Sequence, residues 1–292
     1  MLPEKDNLYF VGGVVRDELL KISSLDTDLC FEGDAIKFAK REGLNIIKEN
    51  KAFGTVRVII DNKEADIAST RTEFYPRKGH LPSVENIGCS LKEDLKRRDF
   101  TVNAMAKRTT NGEIIDYFSG EDDINNKILR VLHKDSFIDD PTRIVRALKF
   151  SVRFNFNLSD DTRMLQEQYL NNINYDMSYH RLKKELTETF NLNEPKAYDY
   201  FVEQKIYKLL GSEIKLPNIK GIDIKSAALK VHNSKNIWFI YLAPLLSMNN
   251  CQALPLTRTE KRILEWINRL KTQPATNNTP KESIICRELL DS

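Results

Sequence analysis

A change of rhythm near Asp99 decides what this chain can become. Before it, short apolar runs alternate with amphipathic stretches, as when strands are laid beside helices. Leu8-Tyr9-Phe10-Val11 reads as a strand closed by Gly12-Gly13, with residues 14–20 as the helix that follows. Asp28-Leu29-Cys30-Phe31 is a second strand and residues 34–42 an amphipathic helix. Residues 55–60 and 63–68 form two more strands around Asp61-Asn62, which has hairpin-turn chemistry. After Asp99 one further strand pair is expected, 103–107 and 114–116, turning at Asn111-Gly112. Beyond Asp139 the apolar spacing is helical only, over residues 141–153, 160–171, 178–191, 195–209 and 257–270. Pro141 falls in a first turn, where its missing N–H is no loss, with Asp139 or Asp140 as the cap. The polar stretch 272–280 reads as a loop, and no internal repeat is present. The expected architecture is an α/β head followed by an all-α body, divided at residues 1–116, 117–205 and 206–292.

Bulk properties narrow the function class. A hydrophobic fraction of 41% suits a globular chain, and no apolar run approaches the ~18 residues of a membrane span. The start, MLPEKDNLYF, carries acidic residues early and lacks the basic-then-apolar layout of a signal peptide, so a cytoplasmic protein is expected. Cys30, Cys89, Cys251 and Cys286 are scattered, which argues against a zinc site or a disulfide framework. The net charge of +3 says little, but its distribution says more. Lys92, Lys96, Arg97 and Arg98 form one cluster; Lys127, Arg130, Lys134, Arg143, Arg146, Lys149 and Arg153 form another. Clustered cations suit nucleotide phosphates or an RNA backbone, although any single lysine is more often solvated surface.

Two segments carry the chemistry of the head. In V-G-G-V-V-R-D, Gly12 and Gly13 at a strand-to-helix turn allow a ligand close to the backbone, and Arg16 adds a positive charge there. In D-T-D, Asp26 and Asp28 are two apart on a strand and project to one side, so both carboxylates can hold one metal. Magnesium favours such oxygen ligands and completes its shell with substrate phosphates. The plainer alternative has Asp26 capping a turn and Asp28 on the surface. Asp66, in the alternating run Glu64-Ala65-Asp66-Ile67-Ala68, is expected to complete the cage or to orient the attacking hydroxyl; Glu64 shares its face and competes for the role.

Further along stand L-K-E-D-L-K-R-R-D-F-T-V-N-A, D-Y-F-S-G-E-D-D-I, D-D-P-T-R-I-V-R and S-Y-H-R-L-K-K-E-L. With the two head segments, this series resembles, in order, the motifs of the class II tRNA nucleotidyltransferase and bacterial poly(A) polymerase family, within the DNA polymerase beta superfamily. The resemblance runs from about Leu8 to about Phe190. It implies a polymerase beta-type head with a mixed sheet, a helical neck that reads the base, and a helical body that holds tRNA. It implies template-independent addition of C and/or A to the 3′ end of tRNA from CTP and/or ATP, with Mg2+ at Asp26 and Asp28. Gly13 and Arg16, with Gly12 beside them, would meet the triphosphate; Arg98, Asp99 and Asn103 would position phosphates and ribose. Asp140, Arg143 and Arg146, continued by Lys149, would read the base. An arginine donates to ring acceptors of C or A and an aspartate accepts from their amino group, whereas U and G present a carbonyl there.

Departures from the family pattern are local. Asp139 stands where a glutamate is usual, and Lys149 where arginine is commoner. Residues 74–90 occupy the family's flexible loop, and their G-H-L-P-S-V resembles members that divide CC addition from A addition. From about Ile206 the likeness is loose; Arg258, Lys261, Arg262 and Arg269 give basic helix faces suited to RNA phosphates without being assigned to the site. Against a poly(A) polymerase, no long, strongly basic C-terminal extension is seen; against a non-catalytic RNA binder, the paired carboxylates would have no purpose. No membrane and no obligate protein partner are expected.

Overall fold

The computed structural model describes residues 2–24, 27–212, 214, 216–218, 220–229, 237–246 and 254–272. It divides into two compact units, residues 1–139 with 157–162, and residues 140–156 with 163–292.

In the first unit β1 (Leu8–Val11) leads into α1 (Gly13–Leu19), and β2 (Asp28–Phe31) into α2 (Ala35–Arg41). Then come β3 (Asn45–Asn50), β4 (Thr55–Ile60), β5 (Lys63–Ser69), β6 (Arg71–Phe74) and β7 (Ser83–Ile87). After α3 (Leu91–Lys96) follow β8 (Met105–Arg108), β9 (Ile114–Asp116) and α4 (Gly120–Asn125). Seven strands make one mixed sheet in the order β3-β4-β5-β2-β1-β8-β9, with β2 and β5 parallel and the other pairs antiparallel.

Strand alternation gives this sheet two different faces. Leu8, Leu29, Phe31, Val56, Val58, Ala65 and Ile67 turn to one side and bury against Ala35, Phe38 and Ala39 of α2. Phe31 stacks on Phe38 with ring centroids 4.2 Å apart. Burying each of the larger side chains here, valine, leucine, isoleucine or phenylalanine, is worth roughly 1.5–3 kcal/mol. On the opposite side Tyr9, Val11, Cys30 and Ala106 are covered by Leu91 and Leu95 of α3. Asp28 and Asp66 share that second face but remain open to water.

Local chemistry explains the joints. Asp61 and Asn62 both adopt positive φ, the conformation a two-residue hairpin turn needs. The Asp34 carboxylate caps α2 through the amides of Ile36 and Lys37. Ser90 and Glu93 form a reciprocal capping box on α3. Ser119 is left-handed before α4, and Gly120 lies so close to the turn at 101–103 that an added Cβ would stand 2.4 Å from the Thr101 carbonyl oxygen. The neighbouring Asp123 is buried, bonded to Thr101 Oγ1 at 2.6 Å and paired with Arg130.

One strand left no sequence signal, and three sequence expectations need correction. Residues 45–50 form edge strand β3; only one side of it is paired and its two isoleucines are adjacent, so no alternation reveals it. Residues 74–90 are not simply a loop, because 83–87 pair with 71–74 as a polar two-stranded ribbon. The segment past Asp139 is not helical throughout: β11 (Asn157–Leu158) pairs in parallel with β10 (Ile128–Leu129). The expected strand at 103–107 starts two residues later, since 101–103 make a tight 3-10 turn.

After α5 (Ser136–Asp139) the second unit begins with α6 (Thr142–Phe154), and α7 (Asp160–Asn171) runs on from β11. The second unit continues with α8 (Tyr179–Phe190), α9 (Pro195–Glu203), a 3-10 turn at Ile206–Leu210, α10 (Gly221–Leu229), α11 (Ile237–Leu242) and α12 (Arg258–Thr272). Leu182, Leu186 and Phe190 recur every four residues along α8 and are fully buried. Phe190 meets Phe201 edge-on at 5.3 Å and Tyr241 at 5.5 Å. Thr257 and Glu260 cap α12 reciprocally. Among the described residues no helix is long and apolar enough to cross a membrane. Cys30 and Cys89 are free thiols; Cys251, Cys286 and the expected loop at 272–280, from 273 on, lie outside the described residues.

Candidate active site

The first unit gathers residues of V-G-G-V-V-R-D and R-R-D-F-T-V-N-A around the end of β1. Gly12 takes φ +70°, and its amide donates to the Met105 carbonyl at 3.2 Å. A Cβ there would lie 2.8 Å from Nη1 of Arg98, so glycine answers both the backbone conformation and the seat of that guanidinium. Gly13 opens α1. One turn on, Arg16 is buried; its Nε and Nη2 donate to Asp17 Oδ1 at 2.9 and 2.6 Å, and its Nη1 to Asn103 Oδ1 at 2.5 Å. Asn103 Nδ2 in turn donates to Asp99 Oδ1 at 3.0 Å, an oxygen that also accepts from the Phe100 amide. A single buried chain, Asp17–Arg16–Asn103–Asp99, thus joins residues more than eighty positions apart.

Arg98 is fixed from the other side. Asp94 has no exposed surface; its Oδ2 accepts from Arg98 Nη2 at 3.1 Å and its Oδ1 from Arg97 Nε and Nη2 at 3.1 and 2.7 Å. Burial alone would raise the Asp94 carboxyl, but the charges of Arg98 and Arg97, with their hydrogen bonds, outweigh it and hold the group below its ordinary value. Arg97 reaches on to Glu73 at 3.0 Å. The Arg98 Nε is buried and has no hydrogen-bond partner.

The carboxylates lie on adjacent strands. Parallel register sets Asp28 opposite Asp66, and the Asp66 amide donates to the Thr27 carbonyl at 3.0 Å. Glu64 lies two residues before the paired segment, so Asp66 is the one beside Asp28. Oxygen ligands from neighbouring strands suit a hard dication such as magnesium. Asp26 lies outside the described residues, and among those described no group of three or more potential ligands gathers.

In the second unit Asp140 is buried, and its Oδ1 accepts from the Thr142 amide at 3.1 Å and from Thr142 Oγ1 at 2.6 Å. Those bonds fix the chain just ahead of α6, whose N-cap position is Pro141 and not either expected aspartate, while Asp139 ends α5. The Asp140 Oδ2 pairs with Arg181 of α8, a residue that sequence reasoning left unassigned although it stands in S-Y-H-R-L-K-K-E-L. Arg143 is buried on the first turn of α6. Arg146 Nη1 meets Glu185 Oε1 at 3.1 Å, and its guanidinium lies 5.4 Å from the Phe150 ring centroid. Lys149 is nearly buried between Glu185 at 2.8 Å and Glu188 at 2.5 Å. Burial would raise Glu188, yet its hydrogen bond to Lys149 and the charge of that ammonium hold it below the ordinary value. Steps of three residues turn a helix by ~300° each, so the row drifts and Lys149 faces well away from Arg143.

Residues 8–130 match the model of the Poly A polymerase head domain. The A-adding tRNA nucleotidyltransferase of Aquifex aeolicus (strain VF5) is 48% identical over 170 residues, covering 56% of this chain and 20% of that protein. The enzyme of the same name from Halalkalibacterium halodurans is 31% identical over 293 residues, covering 94% of this chain and 67% of that one. Among solved structures, that of a CCA-adding enzyme in its apo form II superposes with a TM-score of 0.78 at 26% identity, over 98% of this chain and 75% of that one. The chain spans about a fifth of the length of the first two curated relatives it matches.

Proposed function

The chain belongs to the family of tRNA nucleotidyltransferases with a poly(A) polymerase head, and on that premise we propose that it adds the terminal A to the 3′ end of tRNA. The observation that carries the transfer reading is the register that sets Asp28 beside Asp66 on the open face of the sheet. The A assignment rests on relatives named as A-adding, one of them matched over nearly the whole of this chain.

In this reading Asp26 and Asp28 hold Mg2+, and Asp66 completes the site or orients the attacking hydroxyl. Bound there, the ion would activate that hydroxyl and steady the departing pyrophosphate. Gly12, Gly13, Arg16, Arg98, Asp99 and Asn103 form the triphosphate and ribose cradle, with Arg98 Nε as a donor awaiting an anion. Asp140, Arg143 and Arg146 read the base. A carboxylate offers about four acceptor positions, and Asp140 uses three of them on Thr142 and Arg181. One position is left for the amino group of adenine. Lys149 acts through Glu185 and Glu188 to seat α6 on α8. Residues 1–116 are the transferring head, 117–205 the base-reading neck and 206–292 the tRNA-holding body, in the cytoplasm.

The test uses purified chain, magnesium and tRNAs ending before the first C, after the second C, and complete, each with labelled CTP or ATP. One A added only to the C-C-ended tRNA supports the proposal. Two C residues, or long A tails, would reassign the specificity to CC addition or poly(A) synthesis. No incorporation by folded protein, or incorporation that survives Asp28→Ala, removes the transfer reading.

A further inference from the structure

Beside the two carboxylates stands a cation that the transfer reading does not use. Antiparallel register sets Arg57 of β4 opposite Asp66, and parallel register sets Asp66 opposite Asp28. The three residues therefore form one row across β4, β5 and β2 on the open face. Arg57 takes both oxygens of Asp66 at once, Nε to Oδ1 at 2.8 Å and Nη2 to Oδ2 at 2.8 Å. Its Nη1 reaches Glu64 Oε2 at 3.5 Å.

This fork takes one in-plane lone pair on each oxygen of Asp66, the pair of positions through which a carboxylate would chelate a dication. Guanidinium and metal therefore compete for Asp66. The contest is close, because Arg57 and Asp66 are 47% and 46% exposed and water screens their attraction. An exposed pair of this kind exchanges readily. A bare carboxylate next to Asp28 would otherwise face like charge across the strands.

We propose that Arg57 is the resident counter-cation of the transfer site: it orients Asp66 while no metal is bound and yields it when a divalent ion enters beside Asp28. This rests on the transfer reading given above. Arg57 is a positioning residue in this scheme, and its presence weakens divalent-ion binding to the nucleotide-free protein.

The experiment titrates Mn2+ into the full chain without nucleotide, counting free ion by its paramagnetic resonance signal. Arg57→Gln, which removes the charge at a half-exposed position, is expected to bind Mn2+ about fivefold tighter than the natural chain. Arg57→Lys, which keeps charge but loses the fork, is expected to fall between them. In an Asp66→Asn background Arg57→Gln is expected to change nothing. Equal or weaker binding by Arg57→Gln overturns the inference, as does an equal gain in the Asp66→Asn background, which would mark a general field effect. The two readings fail separately. Binding lost in Asp28→Asn yet equal in the natural chain and Arg57→Gln sinks this inference alone. Binding indifferent to Asp28→Asn sinks the metal site itself, and this inference with it.

Discussion

Replacing Arg181 by methionine tests whether the Asp140 carboxylate, proposed above to read the base, is held by α8. Asp140 is only 3% exposed and relies on Thr142 for one oxygen and Arg181 for the other. Removing one partner of a fully buried ion pair costs about 3–5 kcal/mol, because the remaining charge is stranded. Arg181 is 26% exposed, so water can reach its side of the carboxylate and the loss is discounted to about 2 kcal/mol. Both tryptophans of the chain, Trp238 and Trp266, belong to the same unit as this pair, so tryptophan fluorescence in a urea titration reports the right transition. Arg181 makes other contacts as well, and a double-mutant cycle separates them. Asp140→Asn removes the stranded charge, so the double variant should be more stable than the sum of the single losses by about 1 kcal/mol. Arg181→Met within about 0.5 kcal/mol of the natural chain, or strictly additive losses, would refute the assignment.

Three further outcomes are expected. Gly12→Ala forces a side chain into φ +70° and against Arg98 Nη1 at 2.8 Å, so stability should fall by about 1–2 kcal/mol and ATP affinity by calorimetry should fall with it; unaltered affinity would separate this turn from the nucleotide. Gly120→Ala sets a Cβ 2.4 Å from the Thr101 carbonyl oxygen, backbone that cannot swing aside, and should cost about 3 kcal/mol in urea melts. Tyr9 is raised to about 12 by burial first, then by its hydrogen bond to Glu32 and that residue's charge. The unfolded tyrosine ionises near 10, so this contribution is intact below pH 10 and is lost as pH climbs toward 12; stability against pH should fall less steeply there in Tyr9→Phe.

The strands that bury an alternating or continuous apolar face were legible because periodicity records burial. Leu8–Val11, Asp28–Phe31 and the hairpin at Asp61-Asn62 fall where the residues indicate. Asn45–Asn50 and Ser83–Ile87 were not, since an edge strand and a solvated ribbon owe their form to backbone pairing, which leaves little mark on side-chain choice. Site residues were legible where a motif names them. Distant partners were not: the fold brings Arg181 to Asp140, and no spacing along the chain links Arg16 to Asn103, whereas Asp94 stands at helix-pair spacing from Arg97 and Arg98.

That difference changes how the basic clusters should be weighed. From sequence, Arg97 with Arg98 and Arg146 with Lys149 look like cations waiting for phosphate. In the structure Asp94 holds the first two, and Glu185 holds the second two with help from Glu188. Cations so paired contribute a weak field at distance, so they serve poorly as a general lure for RNA. What they contribute is fixed geometry: each guanidinium is already oriented before a ligand arrives, and the ordering cost falls on folding instead of binding. A phosphate bound beside Arg98, as proposed, would meet a guanidinium whose direction Asp94 has already set. The same logic sets Arg57 apart, because its partner Asp66 is half exposed and, in the proposed transfer site, would also be a ligand of the incoming ion. Pairing that is buried holds a site in shape, and pairing that is exposed can be exchanged during its work.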